Sequence, residues 1–159
     1  MICTILSTGA ELQTLCRNEQ EPPMQHCPEQ LFELIQRLCL QGYDTFQVDA
    51  EYGVPLWTAE FVLALKQCNP IRLHIFTPYE EQTMNWSEDL RDRYFSVHAK
   101  ADDVRLLQNQ FSEDCYERAA KHMTNQSDLL VICGAVGSLP ETAEFAEQSG
   151  VKVAYLTLV

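Results

Sequence analysis

Two hydrophobic periods alternate along the 159-residue chain, and their order predicts its architecture. Cys3 to Leu6 is a short apolar run. After a polar stretch containing Pro22 and Pro23, Leu31, Leu34, Ile35, Leu38 and Cys39 recur at i, i+3, i+4, i+7 and i+8, the stripe of an amphipathic helix over 29–41. Pro28 suits its first turn and Gly42 a left-handed cap at its end. Thr45 to Val48 reads as a strand. A second helix follows from about Pro55, with Trp57, Phe61, Ala64 and Leu65 on one face. Ile71 to Phe76 alternates as a strand, and a third helix follows Asn85, whose spacing to Glu88 is that of a capping box. Leu90, Tyr94, Val97 and Ala101 form its apolar stripe. Val104–Leu107, Leu129–Cys133 and Val151–Leu158 are the remaining strands, separated by helices over Ser112 to about Asn125 and Pro140 to Gln148.

Six strands alternating with five helices predict an α/β fold, a Rossmann-like doubly wound and mostly parallel sheet with helices on both faces. The unbroken run Leu129-Leu130-Val131-Ile132-Cys133 suits a central strand covered on both sides. Residues 1–159 are read as a single domain, with Gly9 to Cys27 the one stretch lacking a period. In such sheets ligands bind beyond the carboxyl ends of the strands, so the loops after Leu6, Val48, Phe76 and Cys133 are the places to look for a site.

Composition narrows the partners. With 11 basic and 23 acidic residues the formal charge is −12, and no basic cluster exists to track nucleic acid or an anionic membrane. Seven cysteines are an odd number with no CxxC pair, which reads as reduced thiols in the cytoplasm. Met1 to Leu6 is too short for a signal peptide, and no segment approaches the roughly 20 apolar residues of a membrane span. His74, His98 and His122 have no partner at convincing metal-ligand spacing, and Gly134-Ala135-Val136-Gly137-Ser138 is not a nucleophile elbow. No metal and no cofactor are expected. Six glycines fall short of the roughly eleven that an average content of about 7% would give.

Several short motifs stand in order along the chain. Tyr52-Gly53-Val54-Pro55-Leu56-Trp57-Thr58-Ala59-Glu60 resembles a strand-loop-helix motif of the form SGGAxGVDxWAAE. Thr77-Pro78-Tyr79-Glu80-Glu81-Gln82 with Trp86 resembles a PxxxQxxxW element, followed by matches at Arg93-Tyr94 and Ala101-Asp102. Cys115, Arg118, Met123, Ser127 and Asp128 match a CxxRRNxxMVDxSD junction, and Gly137 to Ala146 resembles GGTxxTxxYA. These motifs are similar to those of the YpsA-like branch of the SLOG superfamily, Rossmann-like relatives of DprA and LOG-type proteins. The resemblance runs from about Tyr43 to the C-terminus. It implies a bacterial cytoplasmic protein and a site for a nucleotide or nucleotide-derived ligand.

The departures from the family pattern are concentrated at that site. Asp49 and Ala50 stand at glycines after the second strand, and Pro55 stands at the acidic helix start. Arg118-Ala119-Ala120 replaces RRN, Ser138 and Leu139 replace a Gly and a Thr, and only Thr8-Gly9 remains of a TGHRP motif. A phosphate cradle needs backbone N–H groups brought close to the anion, which glycine allows. Asp49, with Glu51 and Glu11 nearby, instead repels phosphate by on the order of 1 kcal/mol or more per close charge.

The resemblance and the loop positions together nominate a ligand site. Thr8, Gly9, Asp49 and Gly53 come from the first two loops, and Trp57 and Glu60 from the helix that follows. Pro78, Gln82 and Trp86 come from the third loop, where Gln82 can read a base or ribose edge and Trp86 can stack. Arg118 is the candidate cation for an acidic ligand group. Gly134, Gly137, Ser138 and Thr142 come from the last loop, where backbone N–H groups and the Thr142 hydroxyl can meet an anion. Glu144 falls at the place of a carboxylate that assists N-glycosidic cleavage in LOG-type enzymes. Each has a plain structural alternative: Trp57 in the core, Arg118 and Glu144 on solvated helix faces, Gly137-Ser138 in an ordinary turn.

Three readings follow. One is a binding domain, non-catalytic or weakly catalytic, for a small nucleotide-derived or other polar ligand. Another is an N-ribohydrolase acting on nucleoside monophosphates through Glu144. The third is an interaction module with a decayed site, plugged by Asp49, Tyr52 or Leu139. The partners expected are the small ligand and a second copy in a homodimer, with neither nucleic acid nor membrane.

Overall fold

The computed structural model describes residues 1–8 and 26–158. The expected loose stretch, with Gly9 and Glu11 in it, lies almost wholly outside them. The element order is β1 (Ile2–Ser7), α1 (Cys27–Leu40), β2 (Thr45–Val48), α2 (Val54–Lys66), β3 (Arg72–Thr77), α3 (Glu88–Lys100), β4 (Asp103–Leu106), α4 (Cys115–Thr124), β5 (Leu129–Cys133), α5 (Pro140–Gln148) and β6 (Lys152–Leu156). The six strands form one sheet in the order β4-β3-β2-β1-β5-β6, and every adjacent pair is parallel. This is the Rossmann-like α/β architecture.

Strand periodicity divides the core in two. On one face Cys3, Ile5, Phe46, Val48, Leu73, Ile75, Val131 and Cys133 pack with Leu31 and Ile35 of α1, Leu56 and Val62 of α2, and Tyr94 and Val97 of α3. On the other, Leu6, Phe76, Leu130 and Ile132 pack with Met123 of α4 and Ala143 and Ala146 of α5. Parallel crossovers are right-handed, so a chain that winds from β1 to β4 lays its helices on one face. The return to β5 reverses the winding and puts α4 and α5 on the other. That reversal makes the gap between the carboxyl ends of β1 and β5 a topological switch point.

Polar groups inside this sheet are paired. Thr4 and Gln47 are fully covered, and the Thr4 hydroxyl donates to Gln47 Oε1 at 3.0 Å. Ser127 also reaches Gln47 Oε1 and donates to the Met123 carbonyl at 2.9 Å, while the Asp128 carboxylate accepts the Ile2 N–H at 2.7 Å. Ser127 and Asp128 thus hold β1 against the start of β5. Gly42 caps the end of α1 with φ +95°, as expected from its place.

Two helix starts differ from the sequence reading. The cap of α3 is Ser87, whose hydroxyl accepts the Leu90 N–H at 3.4 Å, and not Asn85. The chain is still turning before it, with Trp86 N–H on the Thr83 carbonyl, so the helix begins later. Likewise α4 begins at Cys115, not Ser112, because Cys115 N–H bonds the Ser112 carbonyl and the Ser112 hydroxyl bonds Asp114 in a preceding turn.

At the switch point β1 and β5 touch closely. The Thr8 N–H bonds the Cys133 carbonyl at 3.1 Å, and a Cβ added to Gly134 would lie 2.3 Å from Thr8 Cγ2 and 2.6 Å from its Oγ1. Glycine is required here by the approach of a stiff, branched side chain. Gly134→Ala is expected to cost about 1–3 kcal/mol, measured by denaturant unfolding, and Thr8→Ala in the same chain to recover most of it. Equal stability of Gly134→Ala and the parent would show that the contact is slack.

Candidate functional site

Beyond the carboxyl ends of β1, β2 and β3 lies a cavity of about 630 Å3. Its wall combines Leu6 and Ser7 of β1, Asp49, Glu51 and Tyr52 after β2, the loop after β3, and the first turns of α4 and α5. The loop after β2 is held rigidly. Asp49 Oδ1 accepts the Glu51 N–H at 3.0 Å, the Glu51 carbonyl accepts the Leu56 N–H at 3.0 Å, and the Gly53 carbonyl accepts the Trp57 N–H at 2.9 Å. Gly53, at φ +92°, supplies the left-handed turn into α2. Ala50 sits at φ +56° and Leu139, at the start of α5, at φ +50°. Both are left-handed residues that carry a Cβ.

The two acids of this loop are buried, Asp49 8% and Glu51 4% exposed. Glu51 Oε2 accepts the Gln82 amide N–H at 3.3 Å and the Tyr116 hydroxyl of α4. The same Gln82 nitrogen donates to the Asp49 carbonyl at 3.2 Å. No cation shares this cluster among the described residues. Burial therefore pushes the Asp49 carboxyl up to about 6. Burial, with the neighbouring Asp49 charge adding to it, pushes Glu51 up to about 7, against the opposing bonds from Tyr116 and Gln82. Burial and the adjacent Glu51 carboxylate drive the Tyr116 phenol well above the tyrosine range, so it stays a donor. A carboxyl that holds a proton near neutrality beside an open cavity can donate or accept one there.

Aromatic rings complete the wall. Tyr52 meets Trp86 edge to face at 5.2 Å, and Trp86 meets Tyr94 at 5.4 Å. Tyr79 packs edge to face on Tyr116 at 6.3 Å and on Phe111 at 5.3 Å.

The fold brings some of the nominated residues together and separates others. Asp49, Gln82, Trp86 and Thr142 line the cavity. Thr8, Gly53, Pro78, Gly134, Gly137 and Ser138 stand in the loops around it but are not on its wall. The Ser138 hydroxyl is turned back onto the Ala135 carbonyl at 2.6 Å. Trp57 is in the core, and Glu60 forms a two-pronged ion pair with Arg93 at 2.7 and 2.8 Å between α2 and α3. Arg118 is exposed and donates to Gln108 at 3.2 Å. Glu144 is exposed on α5 and accepts from Gln148 at 3.2 Å. Gly9 lies outside the described residues. Sequence reasoning passed over Tyr79, Tyr116, Glu81 and Glu141. The available signal was position: the first two follow β3 and open α4, at the ends the topology turns toward the cleft.

Comparison with known proteins identifies the chain's family. A family model described as the YspA SLOG family (YpsA) matches residues 7–134. The chain belongs to that family. Within it, a UPF0398 protein of Halalkalibacterium halodurans is 38% identical over 107 residues, 65% of this chain and 54% of that protein. A UPF0398 protein of Macrococcus caseolyticus is 27% identical over 92 residues, 58% of this chain and 50% of the other. One from Staphylococcus aureus is 26% identical over 106 residues, 65% and 57% of the two chains. The chain spans about half the length of the curated relatives it matches. In this member of the YpsA family the loop after β2 carries two buried carboxylates.

Two outcomes follow from this geometry. Ala50→Gly removes a left-handed alanine, and unfolding is expected to show a gain of about 1 kcal/mol, with no gain if the turn is unstrained. Because burial raises both carboxyls, the folded state binds their protons more tightly than the unfolded chain does. Stability is therefore highest below about pH 4 as far as these groups are concerned, and falls as pH rises through 6 to 7, by on the order of 3 kcal/mol for each group. Glu51→Gln is expected to be more stable than the parent at pH 8 and close to it at pH 5, read from urea unfolding at both values. A parent whose stability rises over that interval relative to Glu51→Gln contradicts the burial argument.

Proposed function

We propose that the chain binds a small polar ligand, of nucleoside-like size, in the cleft at the carboxyl ends of β1 to β3, with no catalysis or only weak catalysis. The observation that carries this reading is a cavity of about 630 Å3 at the switch point side of a Rossmann-like sheet, walled by rings and by buried polar groups. That volume lies in the range of small-ligand sites, which pair apolar rings with a few placed polar groups. Tyr79 and Trp86 offer surfaces for a planar group, and Asp49, Glu51 and Gln82 offer hydrogen bonds to hydroxyl or amine groups. Membership in the YpsA family supports the location.

The other two readings find less support. Glu144, the carboxylate an N-ribohydrolase of the LOG type would use, is exposed and bonded to Gln148 away from the cavity wall. Asp49, Tyr52 and Leu139 line the cavity and do not fill it, so the plugged cleft of a pure interaction module lacks its main observation. A cytoplasmic setting belongs to the same proposal. Among the described residues no helix is long and apolar enough to cross a membrane.

Thermal-shift and calorimetric titrations of the full chain with adenosine, adenosine monophosphate, ADP-ribose and dinucleotides test the reading, together with small amines. At least one class is expected to bind at millimolar concentration or better, and Tyr79→Leu to weaken it about tenfold through lost stacking. Failure of every class to bind refutes it.

A further inference from the structure

We propose that the ligand of this cleft is a small organic cation rich in N–H donors, a protonated amine or guanidinium compound, and not a phosphate ester. The inference rests on the ligand-binding reading above and adds the sign of the charge.

Three independent features of the wall converge on it. Among the described residues its charges are all of one sign: Asp49 and Glu51 after β2, Glu81 after β3, Glu117 of α4 and Glu141 of α5, with no Lys, Arg or His on the wall. Of the nearby cations, Arg93 is engaged by Glu60 and Arg118 by Gln108, while Lys121 pairs with Glu117 at 2.8 Å and leaves the other four wall carboxylates without an ion pair among the described residues. Second, Gln82 is only 3% exposed and spends its amide nitrogen on the Asp49 carbonyl and Glu51, which leaves its Oε1 buried and without a partner. A buried acceptor without a donor costs on the order of 1–3 kcal/mol, and a ligand N–H that reaches it from the cavity relieves that cost, as the oxygens of a phosphate group do not. Third, Tyr52, Tyr79, Trp86 and Tyr116 place aromatic rings on the same wall, and such rings attract ammonium and guanidinium groups.

The opposing consideration is the pair of helix N-termini at the wall. Each is worth roughly half a positive charge, which ordinarily attracts phosphate. Here Glu117 and Glu141 sit in those first turns and take up that field with the chain's own carboxylates. A bare metal ion fits poorly, because among the described residues no three His, Cys, Asp or Glu side chains converge on a point. The negative charge is spread along a wall, which suits an extended organic cation.

Proton linkage gives the proposal a second signature. A cation favours the ionised forms of Asp49 and Glu51, so its affinity rises as pH rises through the interval from about 6 to 7. The other ionisable groups facing the site are Glu81, Glu117, Glu141 and the phenols of Tyr52, Tyr79 and Tyr116, with Tyr94 and His98 of α3 behind them.

The test is calorimetry on the full chain with agmatine and spermidine as cationic probes, adenosine as a neutral one and adenosine monophosphate as an anionic one, at pH 5.5 and 8. The cations are expected to bind most tightly and the monophosphate most weakly, with cation affinity higher at pH 8. Glu51→Gln is expected to weaken the cations about tenfold or more. If that variant does not fold, Glu81→Gln with Glu141→Gln, both at exposed positions, must weaken them instead. Binding of adenosine without the cations, or tighter binding of the monophosphate than of adenosine, overturns the cation assignment and leaves the site itself intact. Binding of none of the four removes both. Cation binding that no carboxylate substitution alters also overturns the proposal.

Discussion

The constraint on which everything else rests is that an all-parallel sheet must be covered on both faces. Each crossover costs a helix and two loops, and the handedness of crossovers leaves one way to cover both sides, which is to reverse the winding once. In this chain the reversal falls between β1 and β5, and it decides which groups meet beyond the strands. Backbone and side chains within the sheet are consumed by packing and by the Thr4, Gln47 and Ser127 bonds. Polar chemistry is left to the carboxyl ends. The tight seat of Thr8 on Gly134 closes the seam between the two halves there, so that the open space lies to the β2 and β3 side.

Within that space the chain keeps an arrangement that works against its own stability. Two carboxyls are held under cover with hydrogen bonds but, among the described residues, no counter-charge, and burial raises their affinity for protons because ionising them there is costly. Replacing one partner of a buried polar cluster usually destabilises, whereas here the loss of a charge is expected to relieve strain at neutral and alkaline pH. Sites that conflict with stability in this way are the ones where function is the natural explanation. Glu51 is the centre of the conflict because three groups meet on it: the Tyr116 hydroxyl, the Gln82 amide and the field of Asp49.

How far the sequence revealed this depended on the range of the interaction. Strand and helix periods are local, so the order of elements, the central position of β5 and the Gly42 cap could all be read from the residues. The rule that ligands sit beyond strand ends then led to Asp49, Gln82, Trp86 and Thr142. What stayed hidden were meetings across long stretches of chain. Tyr116 reaches Glu51 from another layer, 65 positions away, and Glu60 finds Arg93 across 33. Trp57 could not be separated from a cleft residue by spacing, because nearly every residue in the first half of α2 is buried and the helix shows no clear polar face to exclude. The capping of α3 was misplaced by two positions since Asn85 and Ser87 are both good caps, and the turn ahead of the helix decides between them.

The glycine deficit connects these levels. Ala50 and Leu139 adopt the left-handed backbone that glycine adopts at no cost, so each loop places a residue with a Cβ in a turn that glycine suits best. Such conformations persist only when the surroundings overdetermine them. After β2 the surroundings are visible: the Asp49 side chain on the Glu51 N–H and the Glu51 carbonyl on Leu56 pin the turn from both sides. The carboxylate of Asp49 therefore has two effects. It pins the turn with a hydrogen bond, and it turns acceptors toward the cavity. One side chain thus sets both the path of the loop and the negative charge that the loop presents at the cleft.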